Sequence, residues 1–189
     1  MDRSRTRVLV MTAILGALAW VVSMFSFPLL PSAGFLKIDF SDIVILLGMN
    51  IVGVGPGIAI AAIRSLLSYL VTFGELGFPI GDTAAFIASL SFTLPIYFYL
   101  KDSYGHVSKR LIAGLLGTIS LTIVLTLLNY FVLFPLYQKV MGMSLGSVVD
   151  YLILAVIPFN LLKGLIISTI FFLVFEKIWL PIKNQNMRI

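Results

Sequence analysis

Long uncharged stretches separated by short polar segments dominate the chain. Residues 8–31 form the first, behind Arg3, Arg5 and Arg7, and residues 83–100, 111–138 and 151–175 form the last three. Each is close to the roughly 20 residues that a helix needs to cross a bilayer. Residues 43–63 are also uncharged, but Gly53-Val54-Gly55-Pro56-Gly57 interrupts them. Proline has no N–H for the helix ladder, and neighbouring glycines favour a turn. The pattern therefore predicts two helices there, with the second span short. The expected fold is all-α and integral to the membrane, a single domain over residues 1–189. Six transmembrane helices lie near 8–27, 42–54, 56–73, 83–100, 111–135 and 151–176.

Charge placement tests that count. With the N-terminus in the cytoplasm, six spans put Arg3, Arg5, Arg7, Lys101, Lys109, Arg110, Lys177, Lys183 and Arg188 inside, and only Lys37 and Lys139 outside. Merging the second and third spans would carry residues 101–110 to the outside, against the positive-inside rule. Both termini are thus expected in the cytoplasm, and Asp39, Asp42, Glu75, Asp82 and Asp150 outside. The net charge of +5 then marks topology and contact with anionic lipid. No basic face or stacking platform supports nucleic-acid binding. Composition agrees, with 60% hydrophobic residues, 11% charged residues and a mean hydropathy of +1.09. The three arginines and the first apolar run resemble a signal peptide. The run continues without a polar break, however, as a retained span does.

Several chemistries lack their residues. There is no cysteine, and the one histidine, His106, falls in the cytoplasmic loop, away from any buried nucleophile. No Gly-x-x-x-x-Gly-Lys-Ser/Thr phosphate loop occurs. A metal site, an enzymatic function and an own ATPase are therefore not expected.

Ionisable groups inside a bilayer cost about 2.5–3.5 kcal/mol on insertion scales, so each is a functional candidate. Counting back about 20 residues from the anchor Glu176-Lys177-Ile178-Trp179 puts Asn160 and Lys163 in the outer third. The same count from Arg110 brings Asn129 to a similar depth. Asn160 and Lys163, three apart, share one helix face. These groups either form a ligand site or tie helices together, with Lys163 snorkelling outward. Lys163 has no acid in its own depth band, which favours the ligand site. Arg64 lies about 12 Å from the cytoplasmic start of its helix, where it either snorkels or meets a partner subunit. Above this band lie two loops that mix aromatic, apolar and charged residues. One is Phe35-Leu36-Lys37-Ile38-Asp39-Phe40-Ser41-Asp42, and the other ends at Ile80-Gly81-Asp82. Asp42 and Asp82 are expected as helix-start caps, and Gly34, Gly74, Gly77 and Gly81 as points of loop movement. On the first helix, Ala13 and Ala17 with Gly16 form a small-x-x-x-small contact face.

Together these segments resemble the substrate-binding S components of energy-coupling factor (ECF) vitamin transporters. Ala13-Ile14-Leu15-Gly16-Ala17 matches that family's Ala-x-x-x-Ala contact motif. Residues 36–43, Gly55-Pro56-Gly57, Asn129-Tyr130-Phe131 with Pro135 and Tyr137, and residues 158–164 are similar to the riboflavin-specific group. The resemblance implies a multi-pass subunit of the cell membrane that binds riboflavin from outside. It would dock through Ala13 and Ala17 on a transmembrane coupling subunit served by two ATPases. Riboflavin would be the transported substrate, not a cofactor. Asn129, Asn160 and Lys163 would hydrogen-bond the ring edge or the ribityl tail. Leu36 and Phe40 would pack on the ring, Asp39 would accept from ribityl hydroxyls, and Lys37 and Gly81 would complete the site. An S component for thiamine or biotin, or a membrane scaffold without a ligand, is the alternative.

Overall fold

The computed structural model describes residues 3–74, 77–101, 106–142 and 146–186. Glu75 and Arg188, placed outside and inside by the charge argument, lie outside the described residues.

Helix α1 spans Arg3–Ser23. It stops about four residues before the expected end, where the chain turns toward the extended Phe27–Pro28. Phe27–Pro28 instead forms strand β1, which pairs antiparallel with β2, Lys37–Ile38. A 3-10 turn, Pro31–Ala33, lies between them. Helices α2, Ser41–Val52, and α3, Val54–Thr72, are joined by Gly53 alone. Its φ of 109° is a backbone state that glycine adopts without a Cβ penalty. The break therefore falls at Gly53. Pro56 sits in the first turn of α3, where a missing N–H costs the ladder nothing.

Helix α4 is Ile80–Leu100. A longer element follows, made of α5, Val107–Leu128, a π turn, Asn129–Leu133, and α6, Phe134–Met141. The last element repeats that plan with α7, Val148–Tyr151, a π turn, Leu152–Val156, and α8, Ile157–Asn186. Each π turn ends two residues before a proline, Pro135 or Pro158. A proline ring clashes with the carbonyl four residues back, and widening the preceding turn moves that carbonyl aside.

Among the described residues, five helices are long and apolar enough to cross a membrane: Arg5–Ser23, Val54–Thr72, Ile80–Leu100, Val107–Lys139 and Val148–Phe175. Helix α2 is apolar but shorter. Its Ile45, Leu46 and Met49 are fully buried, because it threads the bundle and packs on α1, α3, α4 and α8. Those residues, with Ile60, Phe92, Ile96, Leu121 and Phe171, form the main core. Small residues bring the helices together. A Cβ on Gly117 of α5 would stand 2.9 Å from the Phe92 carbonyl oxygen of α4 and 2.7 Å from Ile96 Cγ1. A second, smaller core gathers Ala33, Leu30 and Leu36 from the ribbon segment against Phe134, Tyr151, Leu152 and Val156. It holds that segment over one end of the bundle.

Candidate ligand-binding cavity

Beneath the ribbon segment lies a cavity of about 290 Å³. Leu36, Lys37, Asp39, Gly81, Asn129, Asn160 and Lys163 all line it. Of the loop residues expected at the site, Phe40 does not. It is half-buried beside the main core, with its ring centroid 6.2 Å from that of Phe27. Phe35 lines the cavity instead, stacked on Tyr151 at 6.0 Å. Leu125, Leu133 and Phe159 supply apolar wall.

Two buried charge pairs stand at the cavity: Asp39 with Arg64, both lining it, and Lys163, which lines it, with Asp42 behind its wall. Asp39, between β2 and α2, accepts from Arg64 Nη2 on α3 at 3.0 Å. It also accepts from the backbone N–H of Ser41 at 2.8 Å and from the Ser41 hydroxyl. Burial pushes the Asp39 carboxyl up, but the cations of Lys163 and Arg64 and the Ser41 hydrogen bonds outweigh it and hold the carboxyl below its usual range. Neither expectation for Arg64 fits its position, since it points inward and is 7% exposed. A guanidinium at that depth needs a carboxylate, and the loop delivers one.

Lys163 also has an acid partner, contrary to the depth count. Its ammonium stands 3.4 Å from Asp42 Oδ2. Asp42 caps no helix end. It lies inside the first turn of α2, 1% exposed, and its other oxygen accepts from the Ser89 hydroxyl of α4. Asp82 caps nothing by its side chain either, and lines the cavity. The Lys163–Asp42 separation exceeds the roughly 2.7–2.9 Å of a charge-assisted hydrogen bond. The ammonium is thus charge-compensated while its N–H donors stay available to the cavity.

The asparagines are held by their own helices. Asn129 Nδ2 donates to the Leu125 carbonyl at 2.8 Å, and Asn160 Nδ2 donates to the Val156 carbonyl at 2.8 Å. The Tyr151 hydroxyl donates to Asn129 Oδ1 at 2.9 Å. An amide has two donors and two acceptor lone pairs, so each asparagine keeps hydrogen-bonding capacity beyond these contacts. The cavity combines an apolar wall with a few fixed polar groups, the usual make-up of a small-molecule site. Among the described residues, no three His, Asp or Glu side chains cluster as a metal site.

On the outer surface of the bundle, Ala13 and Ala17 of α1 are exposed. Gly16 between them faces α3, where its Cβ would stand 2.6 Å from Ile63 Cγ2. The motif thus splits, with glycine packing inward and the alanines facing out.

Comparison with known proteins agrees with this fold. The family profile "ECF transporter, substrate-specific component" matches residues 7–175. The riboflavin transporter FmnP of Bacillus subtilis is 32% identical over 96% of this chain and 97% of its own length. The riboflavin transporter RibU of Streptococcus thermophilus is 38% identical over 96% of this chain and 85% of its own. A solved structure described as the S component of a bacterial ECF transporter superposes with a TM-score of 0.77 at 35% identity, covering 92% of this chain and 95% of that one. A match over nearly the whole helical bundle, in sequence and in fold, places this chain in the family of substrate-specific components of ECF transporters.

Proposed function

We propose that the chain is the riboflavin-binding subunit of an ECF-type importer of the cell membrane. Six spans, α2 among them, would leave both termini in the cytoplasm and open the cavity to the outside. One observation carries the reading: Asn129, Asn160 and Lys163 converge on one apolar-walled cavity in a chain whose relatives are named riboflavin transporters. The flat ring of riboflavin suits Leu36 and Phe159, and its hydrogen-bonding edge suits the amides and the ammonium. The ribityl hydroxyls suit the polar groups of Lys37 and Asp39. The cavity volume of about 290 Å³ is near the roughly 300 Å³ lower limit for small-molecule pockets. Ala13 and Ala17 would meet a transmembrane coupling subunit, and two ATPase subunits would supply the energy.

Adding the purified protein to riboflavin is expected to quench the flavin fluorescence and yield a yellow protein. Unchanged fluorescence overturns the assignment. Lys163→Ala is expected to weaken binding more than tenfold, since a hydrogen bond to a charged group is worth about 1.5–3 kcal/mol. Titration of the variant by the same quenching reads that loss.

A further inference from the structure

Tyr151 occupies a position that no expectation drawn from the sequence gave it. It ends the short helix α7, immediately before a π turn. Its ring is buried between Phe35 of the ribbon segment, at 6.0 Å, and Phe134 of α6, at 5.4 Å. Its hydroxyl reaches 22 residues back along the chain to the Asn129 side chain at 2.9 Å. The two residues meet because each stands beside a π turn, Asn129 as the first residue of one and Tyr151 just before the other.

The direction of that hydrogen bond follows from its neighbour. The Leu125 carbonyl can only accept, so the NH2 end of the Asn129 amide must face it, as it does at 2.8 Å. The amide oxygen then faces Tyr151, and the tyrosine hydroxyl must donate. With both ends of the amide engaged, it cannot turn over. We infer that Tyr151 is the positioning residue for Asn129: its hydroxyl fixes which end of the amide, donor or acceptor, is offered to each part of a bound ligand. Without that hydroxyl, the oxygen of a buried amide loses its partner. Turning the amide over to seek another would set its oxygen against the Leu125 carbonyl. The Phe35 stack adds a second consequence. The segment that roofs the cavity rests on the same ring that aligns the amide, so roof and polar floor are set by one side chain.

The inference rests on the reading that Asn129 contacts riboflavin. The test uses the full chain in detergent, with riboflavin affinity read by flavin quenching and folding by thermal unfolding. Tyr151→Phe keeps the ring and removes only the hydroxyl. It is expected to fold, with at most a modest drop in unfolding temperature from the amide oxygen left without its partner, and to bind riboflavin about tenfold more weakly, the loss of one hydrogen bond's worth of alignment. In an Asn129→Ala background the same change is expected to have no further effect. A ring that mattered only for packing would be rescued by phenylalanine, so undiminished binding by Tyr151→Phe overturns the inference. Equal losses in both backgrounds also overturn it, because Tyr151 would then act on the ligand directly. If Asn129→Ala alone binds normally, the contact at Asn129 fails and the inference fails with it. Loss with Asn129→Ala but not with Tyr151→Phe overturns the inference alone. Should Tyr151→Phe unfold early, Asn129→Ala/Tyr151→Phe against Asn129→Ala still decides. Weaker binding by the double variant counts against the inference, and equal binding supports it.

Discussion

Asp42 and Lys163 stand 3.4 Å apart, one on α2 and one on α8, with Ser89 of α4 holding the far oxygen of the acid. A buried charge left without its partner costs about 3–5 kcal/mol, whereas removing both members of a pair is often neutral. Asp42→Asn is therefore expected to lower the unfolding temperature of the ligand-free protein sharply. Adding Lys163→Met to that variant should restore most of the loss, which thermal unfolding of the three variants measures. Additive losses would mean that the pair is not coupled. The value of Lys163 as a candidate was legible in the sequence because a cation amid Leu161, Leu162 and Leu165 is conspicuous. Its partner was not. Asp42 lies 121 positions earlier, at the start of an apolar run, where an acid reads equally well as a helix cap. Arg64 and Asp39 escaped for the same reason, since a depth count along each helix cannot show that a loop residue descends beside another helix.

Helix ends and helix contacts were legible to different degrees. Four uninterrupted apolar runs announced α1, α4, α5 and α8 directly. The break between α2 and α3 was visible in the Gly53–Gly57 cluster, although which glycine takes the positive φ was not. The π turns have a sequence signal that is plain only afterwards: Pro135 and Pro158 each follow the start of a π turn by six residues. Close packing is carried by single glycines that composition does not distinguish. Gly117 meets the α4 backbone, whereas a Cβ on Gly55 in the first turn of α3 has nothing within 4 Å. Gly117→Val is expected to force α4 from α5 and to destabilise by about 1–3 kcal/mol, the usual cost of overpacking. Gly55→Ala should be neutral or slightly stabilising. Parallel melting curves of the two variants distinguish a specific contact from a general intolerance of side chains.

The molecule as a whole separates two surfaces: a cavity walled by α3, α4, α5 and α8, and an outward alanine face on α1. Because Gly16 rather than Ala13 or Ala17 packs on α3, bulk can be added to the alanines without disturbing the bundle. Ala13→Leu with Ala17→Leu is expected to leave riboflavin binding intact while abolishing uptake by cells that carry the complete transporter. Binding assays on purified protein beside vitamin uptake in cells check the pair of outcomes, and a loss of both would place those residues in the fold. The charges gathered around the cavity have a consequence of their own. Arg64 is paired with Asp39 and Lys163 with Asp42, so the formal charges of these four buried side chains sum to zero. A molecule without charge then moves in or out with no counter-ion in tow. The voltage across the membrane does no work on that step, and ambient electrolyte finds little net field to screen. Capture becomes an electrically silent event, free to be governed by shape and hydrogen bonding alone.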